Sequence, residues 1–277
     1  MKKVMIILLI VLAVNAFSEE ISINENISVN FQYEKGFLKF LHHTIQIGES
    51  GTDFDYIENG GQELLFQFER FSADLFLFKK NKISFLFQPL TINTTTRFYE
   101  DVTIDNVTFL ADTIVNMKYG FPFYRITYSY QFHVLPYLEI GTGLAFQLRN
   151  ASITFSSANG ESFTSSQNLG PVPALHFNVL FPFSIFYLYF EATGLYASSA
   201  IINGSGFEFE GSILDTSLRA GVDLHKNMSS YLNIRFIGGS AKGTSEYTNE
   251  KWSESRERYT SNYIALFSLS LGIELKL

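Results

Sequence analysis

LEIGTGLAFQLR, residues 138–149, alternates without interruption between two kinds of side chain. One set is mainly apolar and comprises Leu138, Ile140, Thr142, Leu144, Phe146 and Leu148. The other set is small or polar and comprises Glu139, Gly141, Gly143, Ala145, Gln147 and Arg149. Because successive side chains of a β-strand point to opposite faces, this stretch is predicted to be a strand with one apolar and one polar face. Strands of soluble proteins usually have about five or six residues, so the run is unusually long.

The same alternation recurs in three other segments, residues 124–132, 214–224 and 265–277. About ten residues is the length that a tilted strand needs to cross a bilayer. Short connections are predicted near residues 79–82, 133–136, 182–185 and 225–229, and long polar ones near residues 49–61, 98–111, 157–170, 198–210 and 246–258. Short and long connections alternate, as do the periplasmic turns and external loops of outer-membrane barrels. Counting the segments predicts about ten strands, from near Lys39 to Leu277, with eight or twelve as alternatives.

The apolar face changes sides in several places within this pattern, for example between Arg149 and Ile153. Up to Leu148 the even-numbered residues are apolar, whereas Ala151, Ile153 and Phe155 take over afterwards. A β-bulge at the membrane edge would produce this change. A strand that has left the membrane, and is no longer constrained by lipid, would produce it too.

The composition suits a sheet that faces something other than water. The 277 residues include 29 Phe and 15 Tyr, and charged residues make up 17%, below the roughly 25% of ordinary soluble domains. After the N-terminus no apolar run reaches the ~18 residues of a membrane-spanning helix. The chain has no Cys, so a disulfide framework is excluded. Its net charge of −7 argues against nucleic acid as a partner.

The N-terminus has the pattern of a secretory signal peptide. A basic start and an apolar run over residues 4–14 are followed by small residues. We expect cleavage near Ser18, which gives a signal peptide at residues 1–18 and a single barrel domain at residues 19–277. Within that domain, residues 19–38 are either a periplasmic lead-in or an extended part of the first strand.

The polar face of each strand is predicted to point into the barrel and the apolar face towards lipid. The polar face is rich in Gly, Ser and Thr and poor in Lys, whereas a sheet facing water would carry more charge. The fold class that follows is all-β, an antiparallel up-and-down transmembrane β-barrel. The alternative is a soluble periplasmic β-barrel with its faces reversed and an apolar ligand inside.

The C-terminal residues carry a family resemblance. SLGIELKL, residues 270–277, resembles the C-terminal insertion signal of bacterial outer-membrane proteins, with Ser270, Gly272, Leu275 and Leu277 at its characteristic positions. Leu277 stands where that signal usually has an aromatic residue. The whole chain resembles small bacterial outer-membrane β-barrel proteins. This resemblance implies an outer-membrane location, contact with outer-membrane lipid and insertion by the barrel-assembly machinery.

Charged residues on the polar faces are the candidate functional residues. Strand parity places nine of them inside the barrel, namely Arg70, Asp74, Arg125, Glu139, Glu191, Asp215, Arg219, Asp223 and Arg235. Barrels of about eight to ten strands have narrow interiors that side chains largely fill, and buried charges must be paired. The charges are therefore interpreted as a salt-bridge network that forms a polar core, or alternatively as the lining of a thin water path.

No catalytic set, metal site or cofactor site is predicted. His176 is expected to point inward beside Asn178, but none of the five His residues has a Ser and a carboxylate at a local spacing that suggests hydrolysis. The chain has neither Cys nor His pairs at metal-ligand spacing. The predicted loop at residues 246–258 contains the only Trp, Trp252, so it is either a recognition loop for an extracellular ligand or a solvated loop.

These observations predict a non-enzymatic outer-membrane barrel, either a narrow passive channel or a structural barrel that presents loops at the cell surface. The alternatives are an outer-membrane barrel enzyme that acts on lipid or peptide, and the soluble carrier of an apolar ligand. The orientation of the two faces and the filling of the interior distinguish these functions.

Overall fold

The computed structural model describes residues 26–48, 50–198, 209–244 and 259–277. The predicted signal peptide and the predicted loop with Trp252 lie outside the described residues. The described residues form strands joined by turns and irregular segments. Among them there is no helix long and apolar enough to cross a membrane.

Fifteen strands are formed by the described residues. The first eight are β1 (Ile27–Ile47), β2 (Phe54–Asp55), β3 (Phe66–Leu77), β4 (Asn81–Gln88), β5 (Thr91–Arg97), β6 (Val102–Ile104), β7 (Val107–Phe109) and β8 (Ile114–Gly120). The others are β9 (Phe123–Leu135), β10 (Leu138–Ser157), β11 (Phe163–Phe183), β12 (Phe186–Ser198), β13 (Phe209–His225), β14 (Met228–Thr244) and β15 (Tyr259–Lys276). β6 and β7 form a separate hairpin, and the short β2 pairs with the outer end of β1.

The remaining strands form a closed ring of ten antiparallel wall strands, which confirms the predicted barrel and its strand number. β4 and β5 together make one wall strand, and β8 and β9 make another. Each of these two is interrupted at a proline, Pro89 or Pro122, which has no N–H to donate to the ladder. The interruptions lie side by side, because the Phe121 amide donates to the Leu90 carbonyl at 2.7 Å. Pairing of β1 with β15 closes the ring.

The connection between β10 and β11 differs from the prediction. β11 begins at Phe163, so the loop predicted at residues 157–170 is wrong over most of its length. Its polar residues are strand residues, as shown by Ser165, which pairs with Thr154 of β10. The Ser165 side chain is exposed and the Thr154 side chain is half-buried. Polar side chains suit both positions because this part of the wall does not face lipid.

The start of the barrel also differs from the prediction. The first strand begins at Ile27 rather than near Lys39. The described part of residues 19–38 is therefore mostly an extended first strand, which was one of the two interpretations left open. This correction brings an additional charged residue, Glu34, into the wall.

The outer surface of the wall carries a broad apolar band. On β15 the outward side chains of Phe267, Leu269, Leu271 and Ile273 are 41–58% exposed. Similar outward rows lie on β9, β10, β12 and β14, and comprise Tyr124, Ile126, Tyr128, Phe132, Leu144, Phe146, Phe186, Leu188, Phe190, Leu232 and Ile234. A band of this kind is covered by lipid in a membrane barrel. A soluble carrier would have these side chains inside, so the faces are oriented as predicted.

Charged side chains also lie on the outer surface of the wall. They point outward from the wall and comprise Lys35 and Lys39 of β1, Glu69 of β3, Lys118 of β8 and Lys242 of β14. β1, β10 and β11 are 21, 20 and 21 residues long, about twice what is needed to cross a bilayer. The wall therefore continues beyond the membrane at the end that carries the long loops.

The barrel interior has two layers. At the end with the short turns the inward side chains are charged or polar. At the end with the long loops they form an apolar cluster, which we call the outer core; its largest fully buried members are Tyr56, Tyr119, Phe40, Phe54, Phe109, Phe155, Leu38, Ile45, Leu90, Ile104, Ile153 and Leu266. β2 and the β6–β7 hairpin supply several of these side chains, so two of the long connections fold into the mouth of the barrel.

The change of sides after Leu148 is explained by these two layers. Gln147, Ala151, Ile153 and Phe155 all point inward and are buried. The register between β10 and β11 is continuous from Glu139 to Ser156, so this strand contains no bulge there. The apolar side chains move to the inner face because the interior becomes apolar and the exterior meets water.

Candidate functional site

Among the described residues, ten buried charged side chains lie together in the membrane-spanning part of the barrel, in a group that we call the charged layer. Its members are Glu34, Arg70, Asp74, Lys82, Arg125, Glu191, Asp215, Arg219, Arg235 and Glu274, each no more than 9% exposed. Five of them are acidic and five are basic, so the formal charges cancel. This balance is required because an unpaired charge in such an interior would be very costly.

Glu34 is at the centre of one half of the charged layer. Its carboxylate accepts hydrogen bonds from Tyr231, Asn233 and Ser270 at 3.2, 3.0 and 2.9 Å. The same carboxylate lies 3.4 Å from Nη1 of Arg70. Four neighbours on three other strands therefore hold this side chain in place, and the β1–β3 and β1–β15 ladders bring them together.

Arg70 and Arg219 connect Glu34 to Glu191. Arg70 Nη2 donates to Glu191 Oε1 at 3.1 Å, and Arg219 Nη2 donates to the same oxygen at 3.3 Å. The Arg219 guanidinium also lies between the rings of Tyr189 and Tyr231, 5.3 and 5.2 Å from their centroids. Cation–π contacts and ion pairs together fill the space around this group.

Asp215 is at the centre of the other half. Its oxygens accept hydrogen bonds from Nε and Nη2 of Arg235 in a two-point contact, of which the Nε bond is 2.6 Å long. Nη1 of Arg125 forms an ion pair with Asp215 at 2.8 Å. A single carboxylate thus neutralises part of two guanidinium groups from β9 and β14.

The remaining charges lie nearer the short turns. Lys82 Nζ and Asp74 Oδ2 form an ion pair at 2.9 Å. Gln32 Nε2 donates to both Asp74 and Glu274, at 3.1 and 3.0 Å. Ser229 donates to the other oxygen of Glu274 at 3.0 Å. The polar amide of Gln32 therefore joins the two acidic groups without a cation between them.

The charged layer leaves little free space. A cavity of about 30 Å³ lies among its side chains, bordered by Arg70, Lys82, Arg125 and Glu191. That volume suits about one water molecule. His176 also borders the cavity and forms a 2.8 Å hydrogen bond between its Nδ1 and the Thr193 hydroxyl. In this structure the layer is packed, and the outer core lies above it.

Of the nine predicted lumen charges, seven lie in the charged layer, namely Arg70, Asp74, Arg125, Glu191, Asp215, Arg219 and Arg235. The other two lie at the rim near the short turns. Glu139 is 3.4 Å from His133, and Asp223 is 2.7 Å from Lys276. Their side chains are 33% and 39% exposed, so they contact water rather than the buried network.

The sequence prediction missed three members of the charged layer. Glu34 lies in a segment whose assignment to the first strand was left open, and Lys82 was assigned to a turn. Glu274 belongs to the polar set of the last strand, so its parity alone could have placed it inside. Glu34 and Lys82 were missed because the sequence did not show where β1 and β4 begin.

His43 is a second buried polar feature that sequence reasoning did not identify. A register shift between Phe40 and His42 turns His43 inward, into the outer core. Its ring stacks on Tyr56 at 4.4 Å, and its Nδ1 is 2.7 Å from Gln62 Oε1. Complete burial in this apolar surrounding lowers the pKa of His43 to about 4. The imidazole is therefore neutral at physiological pH.

The four residues of the C-terminal pattern occupy ordinary places in the barrel. Ser270 points inward and donates to Glu34. Gly272 lies opposite Tyr231, whose ring covers it. Leu275 pairs with Phe31, and the Leu277 amide donates to the Val29 carbonyl at 2.9 Å. Their role as an insertion signal stays a prediction, and packing gives each of them a structural role as well.

A closed antiparallel ring with an apolar exterior, a charged interior and short turns at one end defines a class of protein. It is the fold of the bacterial outer-membrane β-barrels, as predicted from the sequence. Residues on adjacent strands build the polar interior, and long connections close the other end.

Comparisons with solved structures agree with this class. The chain is similar to the outer-membrane protease OmpT of Escherichia coli, with a TM-score of 0.50, 11% identity, and coverage of 94% of this chain and 100% of that one. It also matches a FadL homologue of Pseudomonas aeruginosa at a TM-score of 0.37, with 7% identity and coverage of 92% and 90%. The attachment protein Ail of Yersinia pestis matches at 0.32, with 9% identity and coverage of 90% and 99%. At these identities the likeness shows the fold alone.

No protein-family model matches the sequence, and the comparison with curated proteins finds no match.

Proposed function

We propose that the protein is a closed, non-conducting barrel of the outer membrane. It serves as a rigid support for loops at the cell surface. The observation that carries this proposal is the filling of the interior by two layers in series. The charged layer is neutral and packed around a cavity of about 30 Å³. The outer core then fills the mouth with apolar side chains, several of which come from the connections themselves.

The length of the strands supports the same function. A barrel that only crossed the membrane would need strands of about ten residues. Here β1 and β10 have 21 and 20 residues, and their additional length contributes Ile45, Ile153 and Phe155 to the outer core. The energy of burying Phe54, Phe109 and Phe155 fixes the position of the projecting wall and of the connections that enter it.

Both inward histidines are poorly placed for an enzymatic reaction. His43 is fully buried in the outer core, and His176 lies within the charged layer below it. An external lipid or peptide would have to displace packed side chains to reach either ring. The enzyme alternative has the fold of OmpT in its favour, and a fold alone does not specify an activity.

Planar-bilayer recordings on the refolded protein test the proposal. We expect no stepwise conductance from the unmodified barrel. The double variant Phe54→Ala with Phe109→Ala opens space only in the outer core. The double variant Glu191→Gln with Arg219→Gln removes ion pairs only from the charged layer. Neither double variant alone should conduct. The four substitutions combined should produce steps if the two layers block the path in series. Heat-dependent gel mobility verifies that each variant has folded.

Stepwise currents from the unmodified protein would overturn the proposal. If those currents changed when Arg219 or Arg235 was neutralised, the protein would instead be a narrow passive channel lined by the charged layer.

The location is tested separately. We propose that the protein is exported, that its signal peptide is cleaved near Ser18, and that the barrel-assembly machinery inserts it into the outer membrane. Membrane fractionation with N-terminal sequencing should recover a chain that starts near Glu19 in the outer-membrane fraction. Recovery of an uncleaved chain, or of the protein in the soluble fraction, would contradict this.

A further inference from the structure

The pairing between β11 and β12 ends before either strand does, and we call this part of the barrel wall the seam. The β11–β12 ladder runs from the Phe183–Phe186 pair to the Leu175–Gly194 pair and stops there. Both strands continue with their other neighbours: β12 pairs with β13 as far as Ser198, and β11 pairs with β10 as far as Phe163, its first residue. Pro173 follows on β11, and its nitrogen has no hydrogen to donate across the seam.

An apolar groove of about 520 Å³ lies beside this seam. Seven lining residues point outward from β4, β9, β10 and β11, and comprise Ile83, Ile126, Tyr128, Leu144, Phe146, Pro173 and Leu175. The other three are Ala145, Ala174 and Leu195. These three belong to a small apolar cluster with Ile213 that is separate from the outer core. The groove thus begins on the lipid-facing surface and reaches residues of the inner face where the ladder ends.

The groove has the size of a ligand site and almost no polar lining. Its volume falls within the ~300–1,000 Å³ of small-molecule sites. Tyr128 has the one side-chain hydroxyl among the lining residues, and this hydroxyl donates to Asn81 Oδ1 at 2.9 Å. No lining residue carries a charge, so a free fatty acid would leave its carboxylate unpaired. An acyl chain whose head group stays in the membrane interface has no such cost.

We propose that this groove binds one acyl chain of a membrane phospholipid or glycolipid, which enters from the surrounding bilayer. Its position selects this occupant, since Leu144 and Leu175 are 65% and 61% exposed in the band that faces hydrocarbon. Within the lipid-facing row of β10, Leu144 and Phe146 lie in the half nearer the long loops, so the lipid comes from the outer leaflet. Ala145, Ala174 and Leu195 form the floor that distinguishes this site from the rest of the belt.

Photo-crosslinking distinguishes a bound chain from ordinary lipid contact. The protein is refolded into phosphatidylcholine vesicles that contain a fraction of phosphatidylcholine with a diazirine near the end of one chain. We expect crosslinks on Leu195 and Ala174, and none on Asn233. Asn233 is the control because it points inward between Leu232 and Ile234, which are lipid-facing residues elsewhere on the wall.

Filling the groove should strongly reduce the crosslinking of Leu195. Leu144→Trp with Leu175→Trp should reduce labelling of Leu195 about tenfold, the factor expected when roughly two buried methylene groups are displaced. Leu232→Trp, on a wall position of similar exposure, should leave that labelling unchanged. Heat-dependent gel mobility again verifies folding, and the conductance experiment is independent of this result.

Three outcomes would overturn the proposal. Labelling confined to outward residues, equal at Leu144 and Leu232, would show only the ordinary lipid belt. A diazirine-labelled free fatty acid that displaces the phospholipid from Leu195 would identify a different ligand. Protein-to-protein crosslinks at Leu175, in place of lipid, would make the groove a contact between two copies of the chain.

Discussion

The membrane-spanning half of the barrel and the half that projects beyond it use the same strands with opposite side-chain patterns. On β10, Leu144 and Phe146 point outward and are 65% and 46% exposed, whereas Ile153 and Phe155 point inward and are almost completely buried. Lipid accepts the apolar side chains of the first half on the outside. Beyond the membrane, water surrounds the wall, so apolar side chains are stable only inside. The strand therefore reverses its pattern without changing its parity.

The two halves also differ in what stabilises them. In the charged layer, the free energy depends on every charge having its partner, because desolvated ions are costly when alone. In the outer core it depends on close packing of aromatic and aliphatic side chains. Substitutions in one half, each compared with a control in another environment, measure this difference.

The largest effect is expected for Asp215→Ala. It would leave the guanidinium groups of Arg125 and Arg235 buried without their shared carboxylate, at a cost of about 3–5 kcal/mol in the free energy of unfolding. Urea unfolding of the protein in vesicles measures it. Glu139→Ala removes a partly exposed carboxylate beside His133 and should cost about 1 kcal/mol or less. Equal losses for the two variants would contradict a charged layer that is shielded from bulk water.

Phe155→Ala should cost about 3–5 kcal/mol, since it opens a cavity in the outer core. Phe146→Ala is the matched control on the same strand, and we expect less than half of that loss because lipid can fill the vacated space. The same urea titration compares them. If Phe146→Ala proved as costly as Phe155→Ala, the contrast between the lipid-facing and core-facing halves would be refuted.

The outer core should also make stability depend on pH through His43. Its pKa of about 4 in the folded protein is below the ~6.5 of an unfolded chain, so the unfolded state binds the proton first. Stability is complete above about pH 6.5 and falls as the pH is lowered towards 4, by up to about 3 kcal/mol. Two neighbouring titratable groups act on the ring. Asp55 raises the pKa of His43 and so reduces the loss of stability, whereas His42 lowers that pKa and increases the loss.

Unfolding titrations at pH 7.5 and 4.5 measure this dependence, and His43→Gln should lose most of it. His133→Gln, at an exposed rim position, should behave like the unmodified protein. A pH dependence that persisted in full in His43→Gln would assign the effect to other groups.

The smallest effect is expected for Gly272→Ala. An added Cβ would lie 2.2 Å from the Tyr231 ring, and the overpacking should cost about 1–3 kcal/mol. In a Tyr231→Ala background the same change should cost less, which a double-mutant cycle measures. Gly211→Ala is the control, because its nearest neighbour would be 3.6 Å away. Similar costs at both glycines would mean that tyrosine packing is not the reason for Gly272.

Parity was enough to place Arg125, Asp215, Arg219 and Arg235 on the inner face, because a period of two leaves only two choices. Parity could not tell that Arg125 and Arg235 share Asp215, since β9 and β14 lie far apart in the ring. It could not orient His43 either. The register shift after Phe40 decides which of two adjacent histidines points inward.

The amino-acid sequence was enough to predict the transmembrane barrel, its approximate strand number and the orientation of its faces. These follow from local alternation, connection lengths and the scarcity of charge, all of which neighbouring residues reveal. The sequence could not predict which charges pair, that β10 continues beyond the membrane with unchanged parity, or that two connections enter the mouth of the barrel. Those features depend on contacts between residues far apart in the chain, and on whether lipid, water or protein surrounds each part of a strand.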